Sequence, residues 1–195
     1  MSRPDILEQI DLEALLSGDH DAFEQLVENE SARLFRVIMR VLNNEEEARN
    51  VLQETFLQAY QRLGTFRRES KVTTWLYAIG INLARAARRK LTRYETLSEE
   101  DLDRLQPKYM VGMRRERYQA WDPQKLIESD ERKRIVHETI LRLPEDYRIV
   151  VTLRDIEEMS TSDVASMLDI SEGAVRVRLH RARLALKKLL TAELK

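Results

Sequence analysis

The stretch Ser160-Thr161-Ser162-Asp163-Val164-Ala165-Ser166-Met167-Leu168-Asp169-Ile170-Ser171-Glu172-Gly173-Ala174-Val175-Arg176-Val177-Arg178-Leu179-His180-Arg181-Ala182-Arg183 carries the pattern on which the fold turns. Ser160 or Thr161 opens a short helix with Val164, Ala165 and Leu168 inward, and Asp163 stands at capping-box distance from Ser160. Asp169-Ile170-Ser171 makes a turn. Ser171 is suited to cap a longer helix whose apolar stripe is Val175, Leu179, Ala182, Leu186 and Leu189. A short helix, a three-residue turn and a longer capped helix make a helix-turn-helix. Opposite the stripe lie Gly173, Arg176, Val177 and His180, flanked by Arg178, Arg181 and Arg183. From Glu172 to Leu190 there are six Lys or Arg and one acid, enough positive charge to neutralise several phosphates. A charged helix face is often merely solvated, but here the turn, the cap and a one-sided arginine row coincide, which points to DNA.

Toward the N-terminus, helical spacing continues at Ile135, Val136, Thr139, Ile140 and Leu143, stops at Leu143-Pro144 and restarts through Tyr147, Val150 and Val151. Between Tyr94 and Glu131 the regularity fades. Acids cluster at Ser98-Glu99-Glu100-Asp101, and Pro107, Gly112 and Pro123 interrupt any long helix, so this segment reads as a flexible linker. Its Tyr109, Met110, Met113, Tyr118 and Trp121 either cover a partner or the domains, or are incidental to a partly folded tether. Earlier still, three amphipathic patterns follow one another. The first runs through Leu26, Val27, Leu34, Val37, Ile38 and Val41. Asn43 and Asn44 break it, and Ala48, Val51, Leu52, Thr55, Phe56, Ala59, Tyr60 and Leu63 form the second, capped by Asn44 or a neighbour and stopped at Gly64. The third places Val72, Trp75, Leu76, Ile79, Leu83 and Ala86 on an inner side.

The 195 residues suffice for one large domain or two small ones. Charged residues make up 34% and aromatics 6%, with 5 Gly and 4 Pro, a helix-rich profile. The expected architecture is all-α, with two small helical domains at residues 1–93 and 132–195 and a linker at 94–131. Net charge is only −1, so any nucleic-acid affinity must come from local clusters. With no Cys, disulfides and thiolate metal sites are excluded, and the three His are scattered, so no metal is expected. A Cys nucleophile and a Gly-rich phosphate loop are both lacking, and no His stands in a recognisable catalytic motif, so neither an enzyme nor a cofactor is expected. Met1 to Leu16 has no signal-peptide pattern and no stretch approaches a membrane span, which leads to an expectation of a cytoplasmic protein without membrane insertion.

A second basic cluster comprises Arg67, Arg68, Lys71, Arg85, Arg88, Arg89, Lys90 and Arg93, with Glu69 the one acid among them. It surrounds Phe66, Trp75 and Tyr77. Basic side chains interleaved with aromatics suit a strand whose bases have been unstacked. Periodicity places Trp75 in the core and leaves Tyr77 and Asn82 off the stripe as better candidates for contact.

These residues resemble a known family. Ala48-Arg49-Asn50-Val51-Leu52-Gln53-Glu54-Thr55-Phe56-Leu57-Gln58-Ala59-Tyr60 resembles the polymerase-docking helix of extracytoplasmic-function (ECF) sigma factors. Phe66 to Trp75 and Ile79 to Arg89 are similar to their promoter-melting and minus-ten-reading segment. Leu143-Pro144-Glu145-Asp146-Tyr147-Arg148, Leu153-Arg154-Asp155 and Ile170 to Arg183 are similar to their minus-thirty-five-reading domain. The three blocks occur in the family's order, leaving the linker and the ends unmatched.

The resemblance implies that Glu47, Asn50, Gln53, Glu54 and Leu57 meet the clamp coiled coil of the polymerase largest subunit. It places Arg67, Arg68, Ser70, Lys71 and Asn82 around a flipped minus-ten base, with Phe66, Thr74, Trp75, Tyr77, Arg85, Arg88 and Arg89 completing that surface. Arg176, Val177, His180 and Arg181 are implied to face minus-thirty-five base edges and Arg178 and Arg183 to grip phosphates, with Ser171 completing that site. Arg49 and Asn50 stand where the family usually has acids, and Thr55 and Ser31 are candidate phosphorylation sites that would restore negative charge. Val72 replaces a common aromatic, Ala86 a common acid, and Val177 a small polar residue.

The implied function is that of an initiation factor that binds core RNA polymerase through its clamp and flap regions and directs it to promoters. It would meet DNA both as duplex and as single strand, lie on the nucleoid when active, and answer to an anti-sigma factor or a kinase. The alternative is a stand-alone helix-turn-helix regulator with an N-terminal sensor or dimerisation module. That reading accounts for the C-terminal half equally well, and leaves the strip from Phe66 to Arg93 without a purpose.

Overall fold

Asn43 takes a left-handed backbone conformation and Asn44 turns its side chain onto the Glu47 N–H at 3.0 Å, so two adjacent asparagines end one helix and start the next. This corner joins helices of 23 and 18 residues in the N-terminal half. The computed structural model describes residues 11–91, 96–106 and 130–193, and all regular elements among them are helical. They fall into two compact units, the first running to residue 92 and also taking in residues 166–169, the end of a helix that otherwise belongs to the second.

The first unit contains α1 (Leu12–Leu16), α2 (His20–Leu42), α3 (Glu45–Arg62), a 3-10 turn at Leu63–Thr65 and α4 (Val72–Leu91). Helices α2, α3 and α4 pack against one another around Leu26, Leu34, Val37, Ile38, Val41, Ala48, Phe56, Ala59, Leu76 and Ile81, all buried. The α2 and α3 stripes follow the sequence pattern, except that Tyr60 is 48% exposed.

Helix α4 departs from its expected phase. Its buried residues are Val72, Thr74, Leu76, Tyr77, Gly80, Ile81 and Ala84, while Trp75, Ile79, Leu83 and Ala86 are only half-buried. Gly80 explains the rotation. A Cβ there would stand 3.1 Å from Leu34 Cδ1 and 3.3 Å from Thr55 Oγ1, so the missing side chain lets α4 approach both neighbours closely. The same rotation brings the Tyr77 hydroxyl inside, where it donates to the buried Glu30 carboxylate at 2.9 Å. Apolar periodicity could not register this, because Thr, Tyr and Gly hold the inner positions.

The second unit contains α5 (Glu99–Arg104), α6 (Asp130–Leu141), α7 (Glu145–Val151) widening into a π turn at Thr152–Ile156, α8 (Thr161–Leu168) and α9 (Glu172–Glu193). Pro144 caps α7, where its lack of an N–H costs nothing. Arg148, 1% exposed, reaches back to the Leu143 carbonyl at 2.9 Å and so ties the end of α6 to α7. The expected caps of the helix-turn-helix are both present. Ser160 Oγ accepts from the Asp163 N–H at 3.0 Å and donates to its carboxylate, and Ser171 Oγ accepts from the Ala174 N–H at 3.1 Å. Val164, Ala165, Val175, Leu179, Ala182, Ala185, Leu186 and Leu190 are buried.

Two short helices lie where no element was expected. Asp11 caps α1, and Ser98 caps α5 within the segment read as linker. Five or six residues are too short for a periodic signal. Tyr109, Met110, Met113, Tyr118 and Trp121 lie outside the described residues, as does Arg93.

Candidate nucleic-acid interface

The expected DNA-facing arginines of α9 divide into two groups. Arg176, Val177 and His180 are exposed together on the face opposite the buried stripe, and Ser171 caps the helix beside them. Arg176 reaches only its own helix, at Glu172. The other three are engaged by acids of the same unit. Arg178 pairs with Asp146 at 2.8 Å, and Arg183 grips Asp155 through two bonds of 2.5 and 2.8 Å. The Asp155 side chain is 5% exposed, so this pair fastens α9 to the π turn. Arg181 donates to the Tyr147 hydroxyl at 3.1 Å and to Asp103 of α5 at 2.5 Å. Arg176, Val177 and His180 thus lie exposed in the first turns of the helix, the part that a helix-turn-helix inserts into a major groove.

In the first unit, Arg67, Lys71, Asn82 and Arg89 are exposed, and Phe66, Ser70, Trp75 and Arg85 are half-buried. The Phe66 and Trp75 rings lie 5.5 Å apart at 49°, an aromatic pair at the foot of α4. Arg88 donates to the Val41 carbonyl at 2.6 Å, closing the end of α2. Thr74 and Tyr77, both expected at the minus-ten surface, are buried at 2% and 0% exposure, so neither can touch a strand in this fold.

Arg68, at a positive φ of 59°, forms a two-pronged pair with Glu13 of α1 at 2.5 and 2.8 Å. The hydrogen bond and then the charge of Arg68 hold the Glu13 carboxyl below its usual range. A lowered carboxyl pKa means the pair is complete above the ordinary carboxylate range and is lost as pH falls through the lowered value. An NMR titration of the Glu13 side chain checks the sign: a midpoint below that of free glutamate is expected, and one at or above it would contradict the pairing.

On α3, Asn50, Gln53, Glu54 and Leu57 form the outward face, with Glu47 half-buried at its start. Arg49 pairs with Glu45 one turn back at 2.6 Å and stands 5.6 Å over the Phe35 ring, so its added charge is locally offset. Tyr60, expected inside, instead packs edge-on against Phe23 at 5.0 Å and extends the exposed face one turn beyond Leu57. Thr55 is fully buried and donates to the Val51 carbonyl, which removes it as a kinase target in the folded chain. Ser31 is half-buried and donates to Val27. His20, Asp21 and Glu24, all exposed, bring ligand atoms within 4.8 Å of one another at the start of α2. No described helix is long and apolar enough to cross a membrane.

Comparison with known proteins finds family matches in both halves of the chain. Residues 26–94 match the family model of sigma-70 region 2, and residues 133–186 that of sigma-70 region 4. Two such regions in one chain define a promoter-recognition factor. The chain is 35% identical to the RNA polymerase sigma-H factor of Pseudomonas aeruginosa, over 92% of this chain and 91% of that one. It is 33% identical to the ECF RNA polymerase sigma factor SigW of Bacillus subtilis, over 89% and 91%. The solved structure of CnrH in complex with the cytosolic domain of CnrY is 28% identical and superposes with a TM-score of 0.67, covering 93% of this chain and 95% of that one. The chain belongs to the sigma-70 family, within its ECF group, and is a sigma factor that directs RNA polymerase to promoters.

Proposed function

We propose a division of labour among three surfaces. The outward face of α3, with Glu47, Asn50, Gln53, Glu54 and Leu57, docks on the clamp coiled coil of the polymerase largest subunit, and the second unit is held at the flap. The loop before α4 with Phe66, Arg67 and Lys71, together with Trp75 and Asn82 of that helix, receives unpaired minus-ten bases. The open face of α9, with Arg176, Val177 and His180, reads the minus-thirty-five duplex. The chain supplies no chemical step and works in the cytoplasm, where two weak DNA readers tethered on polymerase act at high effective concentration. Capture of the opened strand offsets the few kcal/mol that each unpaired base costs.

One observation carries this reading. Among the described residues the exposed large hydrophobic side chains are Leu57, Tyr60 and Val177, at 52%, 48% and 58%. All three stand on the two helices assigned to docking and to duplex reading, where burial against a partner gives them a purpose. A cytosolic segment of another protein is a further partner, a reading supported by the complex of CnrH with the cytosolic domain of CnrY.

Leu57→Asp tests docking. Placing a charge at the centre of that face is expected to weaken binding to core polymerase by about tenfold or more, some 1–3 kcal/mol, with an unchanged melting temperature because Leu57 is already half in solvent. Wild-type affinity for core polymerase would move the docking surface off α3.

A further inference from the structure

We infer that the acidic helix α5 at the start of the linker is an affinity-setting element of the promoter-reading domain, with Asp103 withholding Arg181 from DNA phosphates and so lowering both the strength and the salt dependence of duplex binding. This rests on the reading of α9 as the duplex-reading helix. Three contacts attach residues 97–106 to the second unit. The Leu97 N–H donates to the Arg142 carbonyl at 2.8 Å, Gln106 Nε2 donates to the Arg181 carbonyl at 3.3 Å, and Asp103 meets the Arg181 guanidinium at 2.5 Å. Leu102 is fully buried, so the helix is seated by an apolar anchor as well as by charge.

The distribution of charge on α5 is one-sided in effect. Arg104 pairs with Glu100 and Asp101 of its own helix, leaving Asp103 to face α9. The Tyr147 contact raises the Arg181 pKa, partial burial opposes it, and the Asp103 and Glu99 carboxylates add to the rise, which places both acids near this guanidinium. Arg181 lies one residue beyond the exposed His180 and on the flank of the reading face, where an arginine in a groove-bound helix would meet a phosphate rather than a base edge. A phosphate contact strengthens binding to every sequence alike. Withholding it lowers the affinity for every duplex by the same factor and flattens the salt dependence, while Arg176, Val177 and His180 still set the discrimination between sequences. The Asp103 and Arg181 side chains are 58% and 35% exposed, so the pair is weak enough for solvent and salt to modulate.

The experiment uses the full chain and two labelled duplexes: one of random sequence, and the tightest binder recovered by the wild type from a random pool. Affinities are measured over a range of salt. Asp103→Asn is expected to bind both duplexes about threefold to tenfold more tightly at low salt, to steepen the slope of log K against log salt by about 0.9 for one added phosphate contact, and to leave the ratio of selected to random affinity unchanged. Leu102→Ala, which loosens the anchor, should act in the same direction, and Asp103→Glu should behave as wild type. An unchanged salt slope and unchanged affinities in Asp103→Asn, whatever its melting temperature, would make α5 a structural brace, and a changed ratio would put Arg181 on a base edge; either result overturns the inference. Failure of the wild type to select any duplex, alone or with core polymerase, would instead remove the reading of α9 and the inference with it.

Discussion

Tyr77→Ala is expected to destabilise the N-terminal unit by about 3–5 kcal/mol, the usual cost of deleting a large buried aromatic, and to do so without altering how the folded chain binds a minus-ten strand. Tyr77 is 0% exposed and its hydroxyl is a donor to Glu30, itself 8% exposed. Tyr77→Phe keeps the ring and removes only that donor, so it should cost about 1–2 kcal/mol. Asn82→Ala should show the reverse: an unchanged thermal midpoint and weaker binding to a single-stranded minus-ten probe in the holoenzyme, because Asn82 is exposed. Since each kcal/mol moves the midpoint of a small domain by roughly 4–8 °C, calorimetry separates the two side chains easily. A thermally neutral Tyr77→Ala would mean that α4 sits in the rotation its apolar periodicity suggests.

The second large effect is expected at Arg183. Its removal leaves the Asp155 carboxylate, 5% exposed, without its two-pronged partner. Breaking a buried pair from one side costs several kcal/mol, reduced here to about 2–3 kcal/mol because Arg183 is one-third exposed. Arg183→Ala should therefore lower the melting point of the second unit. Replacing both partners by apolar residues should recover much of the loss, since no unpaired charge is then left inside. Arg176→Ala should leave stability alone and lower affinity for the selected duplex by about 1–3 kcal/mol, the worth of one good bidentate base contact. An Arg183→Ala chain with normal stability and impaired duplex binding would return Arg183 to the phosphate-gripping role that its position in the motif suggests.

Much of this molecule is local and was legible as such. The asparagine corner at 43–44, the Ser160 and Ser171 caps and the stripes of α2, α3 and α9 depend on residues three or four apart, within reach of periodicity and capping rules. The exposed faces of α3 and of the start of α9 follow, because an amphipathic helix that buries one side presents the other. Helices α1 and α5 were missed because one or two turns give no period to detect, although Asp11 and Ser98 are ordinary capping residues. The acids Glu13 and Asp103 were missed with them, for nothing in the sequence tells which arginine an isolated acid will meet.

From the residue order alone come an all-helical chain, a helix-turn-helix near its C-terminus, an amphipathic helix over residues 45–62 with one exposed face, and two arginine-rich strips. Only the tertiary structure decided which of those arginines remain open to DNA. Arg68, Arg181 and Arg183 find their acids 55, 78 and 28 residues away, and Tyr77 finds Glu30 at a separation of 47. Hydrogen-bonded backbone segments and apolar stripes are set by neighbours along the chain. The pairing of charges and the close approach at Gly80 are set by neighbours in space, and those exist only once the helices have packed.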